Sequence, residues 1–200
     1  MTLVHKIICI GRQFGSGGHE IAVRTGAKLG IRVYERDILH LACKYGELAV
    51  KTLEKADETA TNPFLFQGVY EGNQHIVRGL PTSEVLFALQ SHEIRRLASE
   101  EDCIFVGRCA GYVLRDAEVR LLKVFVRAPF EYRVRRKMAQ EGLSPGKAVR
   151  MVKRMDKRRR AYYEHYTGQE WGSGCDLELD MGAQTADEAV EKIEKLYLAL

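Results

Sequence analysis

The residues best suited to chemistry lie near the start of the chain, where Ile7-Ile8-Cys9-Ile10 runs into Gly11-Arg12-Gln13-Phe14-Gly15-Ser16-Gly17-Gly18-His19. The glycines let the backbone curl so that several N–H groups converge on one anion beside a helix N-terminus. Gly15, Ser16, Gly17, Gly18 and His19 are therefore candidate phosphate-binding residues, although a glycine-rich turn after a strand also serves plain chain reversal. A phosphate loop ordinarily carries Lys and then Ser/Thr after its last glycine, for the phosphates and Mg²⁺ respectively. Here Gly18 and His19 stand in their place. Arg12 is the candidate for the missing positive charge, or else a surface residue at a strand end.

A second set is Asp156-Lys157-Arg158-Arg159-Arg160. Phosphoryl transfer needs positive groups around the transferring phosphate. A helical lid would bring Arg158 and Arg160 onto the donor, with Asp156 orienting one guanidinium. Read otherwise, Asp156 and Arg160 are an i,i+4 pair worth about 0.3–0.5 kcal/mol on a solvated face. Tyr162, Tyr163 and Tyr166 offer stacking for nucleic acid, but the acidic remainder of the chain speaks against that partner. Arg108 follows a strand and points to the same cleft. His19 can hydrogen-bond a phosphate or simply open a helix. The other histidines lack metal-ligand spacing, so no metal ligand is assigned. Cys109 has no base beside it in sequence.

These residues need a framework, and 200 residues with 46% hydrophobic and 29% charged content suffice for one α/β domain. No apolar run approaches the roughly 18 residues of a membrane span, and the N-terminal run lacks the features of a secretory signal. A cytoplasmic protein with no membrane partner is expected. Five scattered cysteines with no CxxC pair argue against a disulfide framework or a zinc knuckle. Cys9 and Cys103 fall in apolar runs and read as core. The net charge of +4 is uneven: Arg127 to Arg160 holds 13 Lys/Arg against 3 Asp/Glu, which demands an acidic partner or a solvated surface.

Periodicity places the elements. A strand ends at Gly11, and a helix follows with Ile21, Ala22, Thr25 and Leu29 on one face and Gly30 as its stop. Ile31–Tyr34 is a short strand, and Ile38, Leu39, Leu41 and Ala42 mark a helix ending near Gly46. A polar helical stretch from Glu47 to Glu58 and a long loop with Phe64, Phe66 and Tyr70 come next. Thr82 or Ser83 caps a helix that buries Val85, Leu86, Leu89 and Leu97. Cys103–Val106 and Leu121–Val126 are strands, and Pro129 opens a basic helix to about Glu141. A second basic helix runs from about Lys147 to Tyr166, with Ala148, Val152, Met155, Tyr162 and Tyr166 on its packed side. After a loop around Trp171, Asp176–Asp180 is a fifth strand and Ala186–Leu200 a closing helix. This alternation predicts a doubly wound parallel sheet with its ligand beyond the strand C-terminal ends.

The chain resembles the cytidylate kinase-like family over nearly its whole length. The match rests on Gly11 to Ile21, Val33-Tyr34-Glu35-Arg36-Asp37, Phe105 to Ala110, Asp156 to Tyr163, Tyr166-Thr167-Gly168 and Trp171-Gly172. The resemblance implies a P-loop NTPase-type doubly wound parallel sheet of about five strands, with a helical acceptor-binding insert and an arginine-rich helical lid. The core would span about 1–34, 101–141 and 175–200, the insert about 35–100 and the lid about 142–174. It further implies phosphoryl transfer from ATP, with Mg²⁺, to a small-molecule nucleotide acceptor, CMP or dCMP. Arg12, Arg158 and Arg160 would act on the transferring group, and Glu35, Arg108 and Asp156 would serve the acceptor. Cys109 stands where cytidylate kinases have Asp, and Leu41 near the place of an acceptor-binding arginine. The alternatives are a nucleotide-binding protein with little or no transfer activity, and a kinase for another small acceptor.

Overall fold

The computed structural model describes residues 4–45 and 82–200. The polar stretch Glu47–Glu58 and the aromatic loop from Pro63 to Tyr70 lie outside the described residues.

In chain order the elements are β1 (Lys6–Arg12), α1 (Gly18–Leu29), β2 (Arg32–Tyr34), α2 (Asp37–Tyr45), α3 (Thr82–Glu100) and β3 (Cys103–Val106). They continue with α4 (Ala110–Val113), β4 (Arg120–Arg127), α5 (Phe130–Glu141), α6 (Pro145–Thr167), β5 (Leu177–Asp180) and α7 (Ala186–Ala199). The five strands form one all-parallel sheet in the order β2-β3-β1-β4-β5.

The apolar run Ile7–Ile10 becomes the central strand because all four residues are buried, as a parallel strand covered on both faces requires. Ile8, Ile10, Val124 and Val126 pack with Ile21 of α1 and Ile193 of α7 on one face. Ile7, Cys9 and Phe105 pack with Ile38, Ile94 and Leu97 of α2 and α3 on the other. Cys9 and Cys103 are core residues, and burial pushes both thiols up, Cys103 to about 12. The order reverses at β1, so the loops after β1 and β3 open onto one crevice at the strand C-terminal ends.

A separate apolar cluster joins the two basic helices. Val134 of α5 and Ala148 and Val152 of α6 are buried together, with Phe14 of the glycine loop packed against them. The helix pair is thereby seated on the loop. No helix among the described residues is long and apolar enough to cross a membrane.

Candidate phosphoryl-transfer site

The glycine loop turns through two left-handed residues, Gly15 (φ 81°) and Gly17 (φ 94°), before α1 begins at Gly18. Ile21 closes the first helical turn onto Gly17 O at 3.0 Å. Among the described residues, no partner takes the N–H groups of Gly15, Gly17, Gly18 or His19, as expected of a helix start built for an anion. Ser16 faces away: its N–H and hydroxyl both bond Gln13 O, at 3.3 and 2.9 Å, and it is buried. The expected cradle therefore lacks Ser16 as an open donor, because the tight turn spends that residue on its own closure.

The loop lines a cavity of about 660 Å³ together with Arg12, Glu35, Asp37, Arg136, Lys137 and Arg159. Arg12 is 7% exposed and binds Glu35 Oε1 through Nη2 at 2.8 Å. His19 Nδ1 lies 2.5 Å from the other oxygen, Oε2. Burial opposes the charge on Glu35, but Arg12 and His19 hold its carboxyl below the usual range. Arg136, whose guanidinium lies over Gly17, bonds Glu20 at 2.6 Å and draws that carboxyl down.

The arginine-rich helix α6 meets the loop through two residues. Asp156 accepts the Phe14 N–H at 2.8 Å and binds Arg133 of α5, which also donates to Ala128 O at 2.9 Å and Phe14 O at 3.2 Å. Asp156 does orient a guanidinium, but that of Arg133 rather than one on its own helix. Arg159 points at the loop, with Nη1 3.4 Å from Arg12 O and its guanidinium 5.5 Å from the Phe14 ring. The flanking arginines, expected over the donor, face elsewhere. Arg158 is half-buried with its Nε unpartnered, and Arg160 is exposed, 5.9 Å from the Trp171 ring. Neither lines the cavity of the loop.

Arg108, in the turn after β3, is buried, and it and Arg12 line a second cavity under α6. Arg108 (φ 52°) and Cys109 (φ 56°) are the non-glycine residues with left-handed backbone among those described. Such strain is retained where surrounding structure fixes it, commonly at binding sites. The site thus collects Arg12, the open loop N–H groups, His19 and Glu35 at one cavity and Arg108 at its neighbour. Sequence reasoning missed Arg133, Arg136, Lys137 and Arg159. Arg133, Arg136 and Lys137 stand three and four apart on a helix that follows a strand neighbouring β1, a spacing that puts them on one face.

A family model described as the cytidylate kinase-like family matches residues 7–182. No curated protein sequence matches. Among solved structures, an uncharacterized protein from Eubacterium ventriosum is 26% identical, covers 98% of this chain and 100% of its own, and superposes with a TM-score of 0.72. Shikimate kinase from Bacteroides thetaiotaomicron shares the fold at 11% identity, with 98% and 99% of the two chains covered and a TM-score of 0.56. A sugar kinase from Janibacter sp. shares it at 14% identity, with 96% and 93% covered and a TM-score of 0.54.

Proposed function

The chain belongs to the cytidylate kinase-like family, and from that premise we propose that it transfers the γ-phosphoryl group of ATP to a nucleoside monophosphate, CMP or dCMP. Family and fold support kinase-type phosphoryl transfer. The observation that carries the finer reading is the facing of open loop N–H groups by Arg12, Arg136, Lys137 and Arg159 around one cavity.

In this reading the N–H groups of Gly15 and Gly17 to His19 hold the donor phosphates, and Arg12 supplies the charge that a loop lysine ordinarily brings. Arg108 holds the acceptor phosphate. An oxygen of that phosphate attacks Pγ, the bond from Pγ to the bridging oxygen breaks, and ADP leaves with the electron pair. Because the attacking oxygen is already anionic, no protein base is required. Arg159 stabilises charge on the transferring group, with Arg158 and Arg160 of the same helical turn as further lid cations on closure.

Mg²⁺ fits the donor set modestly: Glu35 and Asp37 put carboxylates on the cavity wall, while His19 replaces the usual hydroxyl. Asp37 is the carboxylate that would hold it, since Glu35 is engaged by Arg12 and His19, with phosphates and water supplying the other oxygens. When bound, the ion neutralises charge on the phosphate oxygens.

Release of ADP from ATP, measured with CMP, dCMP, UMP, AMP, GMP and unphosphorylated sugars and nucleosides, tests the proposal. Turnover that depends on CMP or dCMP is expected. ATP binding without acceptor-dependent turnover would leave a binding protein, and turnover with an unphosphorylated acceptor alone would make it another kind of kinase.

A further inference from the structure

The outer face of α6 carries charge that neither cavity uses. Lys147, Arg150, Lys153, Arg154 and Lys157 are all exposed. At about 100° per residue they fall within about a third of the helix circumference. That arc lies opposite the stripe of Ala148 and Val152, which is buried with Val134 of α5 and Phe14 of the loop. None of these cations pairs with a carboxylate among the described residues, and Lys153 alone has an aromatic neighbour, the Phe130 ring at 5.8 Å. None lines the cradle or the second cavity.

Other surface helices are built differently. Arg24 pairs with Glu20 and Asp187, Lys28 with Glu194, Arg96 with Glu93 and Glu100, and Lys137 with Glu141. On α6, Arg150 faces Arg154 and Lys153 faces Lys157 at the i,i+4 spacing, where like charges destabilise a helix. An external counter-charge would relieve that repulsion. On the inner side, Asp156 accepts the Phe14 N–H at 2.8 Å and binds Arg133, so the helix is seated through the loop and the cationic stripe stays outward.

Charge complementarity calls for an anionic partner, and the length and setting of the stripe select its kind. From Lys147 to Lys157 the helix rises about 15 Å, the length of about five extended residues. The net charge of +4 for the whole chain against +10 for Arg127–Arg160 leaves −6 elsewhere, which repels a long or flat polyanion running past the helix. The stripe has no aromatic side chain on which a base could stack and no large apolar one to enter a bilayer. The exposed large apolar residues Val4, Val23, Leu196 and Leu198 all lie on other segments. We propose that the outer face of α6 is a docking surface for a short acidic segment of a partner protein, a run of Asp and Glu whose carboxylates accept from these guanidinium and ammonium groups.

The full-length protein is titrated against fluorescein-labelled octa-glutamate, with fluorescence anisotropy read at about 50 mM and about 200 mM salt. Octa-glutamine, an oligothymidylate octamer and vesicles of phosphatidylglycerol in phosphatidylcholine are the comparison probes. Saturable binding of octa-glutamate is expected, weaker at the higher salt and absent for octa-glutamine. Joint replacement by Arg150→Gln, Arg154→Gln and Lys157→Gln should weaken it about tenfold or more. Lys44→Gln, Arg95→Gln and Lys195→Gln together remove the same charge from exposed positions on α2, α3 and α7 and should change it less than about twofold. Thermal melting by circular dichroism verifies that both triple variants are folded, and equimolar ATP with Mg²⁺ should not displace the peptide. No saturable binding of octa-glutamate, or equal weakening in the two variants, would overturn the proposal. Displacement by ATP would assign the cations to the phosphate site and overturn it as well. Tighter binding of the oligothymidylate or of the vesicles, lost in the α6 variant, would make the stripe a nucleic-acid or membrane surface and overturn the assignment to an acidic protein segment.

Discussion

Gly18 packs onto Arg12 so tightly that a Cβ at position 18 would lie 2.6 Å from the arginine's own Cβ and 3.1 Å from its Cγ. Position 18 is where a phosphate loop ordinarily carries lysine, and Arg12 occupies the space a lysine there would need. The two solutions exclude one another, which gives the variant loop a physical reason: its positive charge enters from the end of β1.

Restoring the common pattern should therefore do harm. Gly18→Lys alone is expected to destabilise the protein by about 1–3 kcal/mol through overpacking and to weaken ATP binding more than tenfold. Arg12→Ala alone should also weaken binding, by loss of charge. The double variant should bind ATP better than either single one, with a coupling energy of about 1 kcal/mol or more. A double-mutant cycle by calorimetric titration measures this, and additive losses would refute mutual exclusion.

The three consecutive arginines of α6 should differ in effect. Arg159 donates to the backbone carbonyl of Arg12 at the end of β1 and lines both cavities, whereas Arg158 and Arg160 line neither. Arg159→Ala is expected to lower kcat about 10²–10³-fold with a smaller change in ATP affinity, as for loss of a donor to transition-state charge. Arg160→Ala should cost less than tenfold, and Arg158→Ala should fall between them. Steady-state kinetics with direct ATP binding decide it, and equal effects of all three would contradict the orientation.

The sequence pattern already held part of this distinction. Ala148, Val152 and Arg159 lie on one stripe of a 3.6-residue helix, since a step of seven residues returns to nearly the same face. That stripe faces the loop and α5, so the periodicity that identified the packed side also pointed to Arg159. The strands were legible because Ile7–Ile10 and Cys103–Val106 are continuous apolar runs and Leu121–Val126 is one interrupted by Lys123 alone, and the helix ends because Gly30 and Gly142 take left-handed backbone. The pairing of Asp156 with Arg133 was not legible. It joins residues 23 positions apart on different helices, and no local spacing encodes it. The same holds for the second cavity, whose lining joins β1, α4, β4, α6 and the Trp171 loop, segments that no local spacing brings together.

Asp156 ties three elements together and should matter for stability as well as turnover. Asp156→Ala leaves Arg133, 6% exposed, without its carboxylate, although its two carbonyl partners remain. A loss of about 2–4 kcal/mol is expected, near the lower part of the range for breaking a buried ion pair. Asp156→Asn keeps an oxygen for the Phe14 N–H and should lose about half as much. Urea unfolding monitored by circular dichroism checks both values. If the alanine variant matches wild type in stability, the link between loop and lid has no energetic weight.

Glu35 should make that part of the site acid-sensitive. Its carboxyl is held below the ordinary range by Arg12 and His19 against the opposing effect of burial. A depressed carboxylate contributes stability that is present above the unfolded pKa and is lost as pH falls through the lower folded value. At neutral pH, Glu35→Gln should lower stability by about 1–2 kcal/mol, because the buried Arg12 guanidinium loses the charge of the carboxylate 2.8 Å away. As the pH drops from about 7 to about 3, wild type should lose this advantage and the two melting curves should converge. Lowered Arg12 positioning should also raise the KM for ATP in the variant more than the KM for the acceptor, since Glu35 lines the cradle and not the second cavity. Melting temperatures across that pH range, paired with the two KM values, test the assignment; a constant gap at all pH values would mean that the carboxylate charge is not what Arg12 and His19 engage.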